Sequence, residues 1–131
     1  MIAEVYMPPY ATDRAKLYQV LWLEGLAAYM SKALNPTATD QQVLLSGTVA
    51  AEVRARWPTL RADLRDHLDS SNKADIDAYM FDASSKIPKR AGYYIGMLIA
   101  QRLARQHTFT ELCRLQGQQL RSEVARALLD L

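Results

Sequence analysis

The chain is poor in the residues that build metal and redox chemistry, with one cysteine, Cys113, and two histidines, His67 and His107. A single cysteine excludes an intrachain disulfide and any multi-cysteine metal site, and Cys113, set between Leu112 and Arg114-Leu115, reads as a buried inert thiol. An excess of either charge is also lacking. Lys and Arg total 16 against 14 Asp and Glu, leaving +2, and the basic residues are interspersed with acids, so charge gives no ground for nucleic-acid binding. No apolar run reaches the roughly 20 residues a membrane helix requires, since the stretch from Val20 to Met30 is too short and is broken by Glu24. The first residues, Met1-Ile2-Ala3-Glu4-Val5-Tyr6-Met7-Pro8-Pro9, lack the basic start and apolar core of a signal peptide. The expectation is a cytoplasmic chain with no membrane partner, exported only if the true start lies upstream.

What is present suits a folded domain. A hydrophobic fraction of 50% with 23% charged residues is ordinary for a globular chain, and 131 residues suffice to bury about two-thirds of the unfolded surface. Ile2 to Met7 has strand-forming residues, but Pro8-Pro9 ends any strand there, so residues 1–11 read as an extended arm. Thr12-Asp13 is a cap, and the helix that follows runs to Leu34, where Asn35-Pro36 stops it. Thr39-Asp40-Gln41-Gln42 has capping-box spacing for a second helix, broken near Ser46-Gly47 and resumed from Val49. Trp57-Pro58 ends that segment and opens another, whose Leu60, Leu64 and Leu68 make one apolar stripe. Asn72 and Asp75 cap a brief helix with Ile76, Tyr79 and Met80 inward, and Ser84 to Pro88 reads as a loop.

From Arg90 to about Gln106 the pattern is again a long helix, with Gly92, Gly96, Ala100 and Ala104 on one face. Glycine inside a helix costs roughly 1 kcal/mol relative to alanine, so this stripe predicts close backbone packing, against Gly25 and Ala28. Thr108-Phe109-Thr110-Glu111 is a further capping box, and Gly117 separates that short helix from the last one. The prediction is an all-α single domain over 1–131, a bundle of about six or seven helices around a buried apolar helix at about 13–34.

That central helix carries a problem in its middle. Tyr18 to Met30 is apolar except for Glu24, and Leu17, Val20, Leu21, Ala27 and Ala28 lie three, four or seven positions from it. Burying an unpaired carboxylate costs several kcal/mol, so such a group is paired, protonated or metal-bound. Pairing with an Arg or Tyr at the core rim and binding a metal both remain open from spacing.

Trp22-Leu23-Glu24-Gly25-Leu26-Ala27-Ala28-Tyr29, followed by Leu34-Asn35-Pro36, resembles the W-x-E-G-L-A-x-Y … L-N-P segment of a family of predicted bacterial zinc-dependent peptidases of the gluzincin type. Pro88-Lys89-Arg90-Ala91-Gly92-Tyr93-Tyr94-Ile95-Gly96 is similar to a second segment of that family. The resemblance implies a hydrolase in which an H-E-x-x-H helix supplies two histidine ligands and the base, while Glu24 supplies the third zinc ligand. It also implies that Arg90 and Tyr93 or Tyr94 stand on the oxyanion side of a peptide or protein substrate. The alternative for Arg90 is an ion pair with Glu24, and for the tyrosines core packing.

No H-E-x-x-H occurs in the 131 residues. A zinc site takes about four ligands, one of them water when catalytic, and the resemblance supplies one. The expectation is the C-terminal portion of such an enzyme, inactive by itself and binding no zinc alone, whose uncovered surface makes it a dimer or the partner of a missing N-terminal half. Two further readings stand beside it. One is a non-catalytic helical protein-interaction module. The other is a helix-turn-helix DNA-binding protein, from Thr108–Leu131 with Arg121 and Arg126, weakened by Glu123 and Asp130 on the same helix.

Overall fold

The computed structural model describes residues 15–44, 46–81, 84 and 86–131, and over them the chain forms a single all-helical bundle. Eight helices are found there, six of them of seven residues or more. They are α1 (Leu17–Leu34), α2 (Asp40–Leu44), α3 (Val49–Ala55), α4 (Trp57–His67), α5 (Lys73–Met80), α6 (Ala91–Leu103), α7 (Phe109–Arg114) and α8 (Gly117–Asp130). The expected arm at 1–11 and the cap at Thr12-Asp13 lie outside the described residues.

Helix α1 is the centre of the bundle. Leu17, Val20 and Leu21 have no exposed surface, and Trp22 and Leu26 are buried on other sides of the helix. Its start is fixed by a neighbouring segment. The first turn of a helix leaves backbone N–H groups without intrahelical acceptors, and those of Leu17 and Tyr18 donate to the carbonyls of Ser70 (2.9 Å) and Leu68 (3.0 Å). The Lys16 N–H donates to the Gln19 side chain at 2.8 Å. At the other end Asn35 Nδ2 donates to the Ser31 carbonyl at 2.9 Å before Pro36 closes the helix.

The most extensive helix contact in the chain is between α1 and α6. It is made by glycine. A Cβ placed on Gly25 would lie 2.2 Å from the Gly96 carbonyl carbon, and one on Gly96 would lie 2.5 Å from the Leu21 carbonyl oxygen, so the two backbones touch. The predicted approach of the small-residue stripe to Gly25 therefore holds at Gly96. It does not hold at Gly92, where a Cβ would meet Met80 Sδ at 2.3 Å and the Tyr79 carbonyl oxygen at 2.6 Å. Gly92 admits the end of α5 instead. Helix α6 is also shorter than expected, since the chain turns over residues 104–106.

Local chemistry sets the remaining boundaries. The Thr39 box forms in full, Gln42 N–H donating to Thr39 Oγ1 (3.2 Å) and Thr39 N–H to Gln42 Oε1 (2.9 Å). So does the Thr108 box with Glu111, at 3.1 and 2.7 Å. Asn72 Oδ1 accepts from the Ala74 N–H at 2.9 Å and caps α5. Leu60, Leu64 and Leu68 are all buried, as their spacing predicts.

Helix α8 lies antiparallel to α4, shown by partners that run in opposite order. Trp57 Nε1 donates to the Leu131 carbonyl (3.1 Å) and Arg61 Nη1 to that of Leu129 (3.5 Å), while Arg121 makes a two-pronged pair with Asp69 at 3.1 and 3.0 Å. Arg102–Asp130 (3.7 Å) and His107–Glu123 (3.4 Å) tie α8 to α6 and the turn beyond it. Among the described residues no helix is long and apolar enough to cross a membrane.

Candidate functional site

The two segments that carry the resemblance meet in the fold. Glu24 precedes Gly25, the residue pressed against Gly96, so its backbone sits at the tightest point of the bundle. Its side chain does not enter the core. Glu24 is half-buried, Ala27 one turn on is exposed, and no charged residue among those described is buried. Leu17, Val20, Leu21 and Ala28 are buried as expected. The face assigned to Glu24 is thus split, and the carboxylate stands on the rim where core gives way to surface. The large desolvation cost that spacing implied does not apply at such a position.

Arg90 closes the turn before α6 in a left-handed conformation, with φ at 66°. A non-glycine residue there costs on the order of 1 kcal/mol through the clash of its Cβ with the backbone. Two contacts of its side chain act against that cost. The Nε donates to the Leu44 carbonyl at 3.1 Å, and the guanidinium lies 4.3 Å from the centre of the Tyr93 ring. A cation over an aromatic face contributes roughly 0.5–1 kcal/mol at a partly exposed site. Arg90 and Tyr93 thereby form one half-buried unit at the N-terminal end of α6. Tyr94, in contrast, is 1% exposed and belongs to the core. Of the two tyrosines only Tyr93 reaches the surface to any degree.

The histidines lie in other parts of the bundle. His67, the last residue of α4, has Nδ1 2.7 Å from the Asp63 carbonyl oxygen and 3.5 Å from a carboxylate oxygen of the same residue. The backbone bond to Asp63 holds the His67 pKa above the ordinary histidine value, with the Asp63, Asp75 and Asp66 charges adding to it against a desolvation that lowers it. His107 faces Glu123. Cys113 is half-buried, not the fully buried thiol expected from its neighbours. Among the described residues no three His, Cys, Asp or Glu side chains are grouped so that they could hold a metal ion. The described residues therefore do not fit the zinc that the resemblance implies.

One polar arrangement was not legible in the sequence. The Tyr79 hydroxyl, on a residue 2% exposed, donates to Asp63 Oδ2, and burial followed by that bond pushes its pKa far above the ordinary phenol value. Ser70 Oγ donates to Asp75 Oδ2 at 2.6 Å beside it. The spacing of Asp63 and His67 signals a helical pair, but no pattern reveals that Tyr79, 16 residues on, completes it.

The segment proposed as a helix-turn-helix comprises α7 and α8, with Gly117 in a left-handed conformation at the joint (φ 62°) and Arg121 engaged with Asp69 of the segment after α4. A shallow groove of about 440 Å³ between the end of α1, α2 and the start of α3 is lined by Lys32, Asp40, Gln41 and Ser46 among others, with Lys32 and Asp40 paired within it. Comparison of the chain with protein-family models, with curated proteins and with solved structures finds no match.

Proposed function

We propose that this chain is the helical C-terminal part of a zinc-dependent peptidase of the gluzincin type, without catalytic activity by itself. The observation that supports the reading most is the contact between the two resembling segments. Trp22–Pro36 and Pro88–Gly96 are separated by about fifty residues of sequence, yet Gly25 of one rests on Gly96 of the other. A glycine pair at van der Waals contact fixes the register of α1 on α6, and with it the placement of Glu24 relative to Arg90 and Tyr93. A carboxylate at a rim, on a backbone held by that contact, suits a role in which further groups arrive from outside this chain.

The test is the size and activity of the natural gene product. An antibody raised against this chain is expected to detect a product clearly larger than 14.8 kDa, with an H-E-x-x-H upstream of Met1. That product is expected to cleave peptides and to lose the activity on Glu24→Gln. A native product of 14.8 kDa that associates with no histidine-bearing chain refutes the reading.

A second reading, a non-catalytic module that self-associates, is favoured by one observation. Leu23, Ala27, Met30 and Leu34 follow a four-three-four spacing along the outer edge of α1, and Leu34 is 78% exposed. Such a spacing suits a seam between paired helices. Sedimentation of the chain with and without Leu34→Glu tests it, a dimer lost in the variant being the expected result and a concentration-independent monomer the contrary one.

A further inference from the structure

We infer that one copy of this chain cannot assemble the metal site of the family it resembles, because both of its histidines belong to the scaffold. This rests on the reading above and adds to it that neither histidine of the chain can replace the two that the resemblance assigns to an H-E-x-x-H helix.

The sequence limits the donors first. His67 and His107 are the only histidines, so a site with two imidazoles and Glu24 must use both, whatever the undescribed residues do, since those include neither His nor Cys. The structure then places both away from Glu24. His67 ends α4, next to the Leu68 and Ser70 carbonyls that receive the first N–H groups of α1. Glu24 lies six residues beyond Tyr18, about 9 Å further along the helix axis at 1.5 Å per residue. His107 lies toward the same end of the bundle, since its partner Glu123 is two residues from Arg121, which pairs with Asp69. From Gly96, which touches Gly25, helix α6 runs seven residues to Leu103, about 10 Å, before the turn that carries His107 to Glu123. Zinc holds its nitrogen and oxygen ligands at about 2.0–2.2 Å, so all donors must converge within a few ångströms. Both imidazoles are instead set back from Glu24 by roughly two helical turns, and neither joins a group able to hold a metal among the described residues.

Each histidine also has a structural occupation. The Nδ1–H of His67 donates to the Asp63 carbonyl and secures the last turn of α4, whose following residues hold the start of α1. His107 is only 16% exposed at its side chain and contacts the 23% exposed Glu123, closing the α6–α7 turn on α8. Bringing both to Glu24 requires the fold to open at two seams. Any zinc bound at Glu24 therefore takes its imidazoles from another polypeptide segment.

The experiment uses the 131-residue chain stripped with a chelator and titrated with zinc alone, by calorimetry and by thermal unfolding. Wild type and Glu24→Gln are compared, the latter an isosteric change at a half-buried position. The expected result is an identical melting temperature with zinc and with chelator, and no one-to-one zinc binding that depends on Glu24. A ligand at a hundredfold excess over its dissociation constant raises the melting temperature by several degrees, so the effect sought is visible. One-to-one binding abolished by Glu24→Gln overturns the inference. That outcome leaves the peptidase reading standing, whereas a stand-alone native product sinks the peptidase reading and leaves this inference intact.

Discussion

Gly25→Ala adds one methyl group at the point where α1 and α6 touch, and its cost follows from the distances there. The added Cβ would lie 2.2 Å from the Gly96 carbonyl carbon and 2.4 Å from its Cα, where ordinary contact begins at 3.4 Å. The obstacles are backbone atoms, so no side chain can swing aside. The helices must separate by about 1 Å, and overpacking of this kind costs typically 1–3 kcal/mol. Here the upper end applies, because separation loosens the longest helix contact of the bundle. Alanine recovers roughly 1 kcal/mol through its better helix propensity. The net expectation is a loss of about 2 kcal/mol, a sizeable share of the 5–15 kcal/mol that holds a typical domain.

Urea denaturation measures the loss, and thermal unfolding should show a drop of roughly 5–10 °C for a chain of this size. Gly96→Ala meets the Leu21 carbonyl oxygen at 2.5 Å and Gly25 Cα at 2.8 Å, so it is expected to cost a similar amount. The double variant should lose less than the sum, since helices already moved apart by the first methyl accommodate the second. Gly47→Ala serves as the control. Its Cβ approaches only the Gln41 side-chain amide, at 3.3 Å, and an exposed flexible side chain gives way. A Gly25→Ala variant as stable as wild type would falsify the claim that these backbones are in contact.

Further outcomes follow from three polar residues. Tyr79→Phe removes a hydroxyl bonded to a carboxylate, and because water can reach the half-exposed Asp63 the loss is expected at about 1 kcal/mol in urea denaturation; no loss would show that the bond contributes nothing. The same hydroxyl has its pKa raised on folding, so its contribution is complete below the unfolded value of about 10 and is lost as pH rises above it. An absorbance titration should therefore show Tyr79 resisting ionisation until the chain unfolds. His67 also has a raised pKa, first through its bond to the Asp63 carbonyl, so its stabilisation is present below about 6.5 and disappears as pH rises through the folded value. Proton resonances of the His67 ring should titrate above the ordinary value, and His67→Ala should flatten the fall in stability as pH rises from mildly acidic to neutral and above; an unshifted titration would remove the basis for both. Glu24→Gln is expected to change stability by less than about 1 kcal/mol, in keeping with a rim position, and a loss of several kcal/mol in denaturation would reveal a desolvated charge pair.

Periodicity and capping chemistry were legible in the sequence because they act over three or four residues. Thr39 with Gln42 and Thr108 with Glu111 each form the reciprocal bonds that their spacing predicts. The apolar stripes of α4 and α5 are buried where the 3.6-residue period puts them, as are Leu17, Val20, Leu21 and Ala28 of α1. The glycine stripe was half legible. It announced a close approach, but which neighbour approaches each glycine is a tertiary fact, and α6 is wide enough to receive α1 at Gly96 and the end of α5 at Gly92. The start of α1 was illegible for a similar reason. Its first N–H groups are satisfied by carbonyls some fifty residues away, and no local pattern encodes an acceptor from another segment.

Glu24 marks the limit of what periodicity encodes. Counting three, four and seven positions to Leu17, Val20, Leu21, Ala27 and Ala28 placed it on an apolar face, yet a helix face spans more than 100° and its edge residues differ sharply in exposure. Ala28 is buried while Ala27, its neighbour and equally close in the count, is exposed. Apolar character at such an edge comes from small residues that any environment tolerates, so it carries little information about depth. A carboxylate flanked by alanines is therefore a weaker sign of burial than one flanked by leucines. The case for Glu24 as a ligand accordingly rests on the meeting of two distant segments at Gly25 and Gly96, a contact made at the expense of helix propensity at both positions. If the helices needed only to pack, alanine at either site would permit an ordinary crossing a little further apart. What two glycines add is a fixed register between Glu24 on one helix and the Arg90–Tyr93 unit on the other.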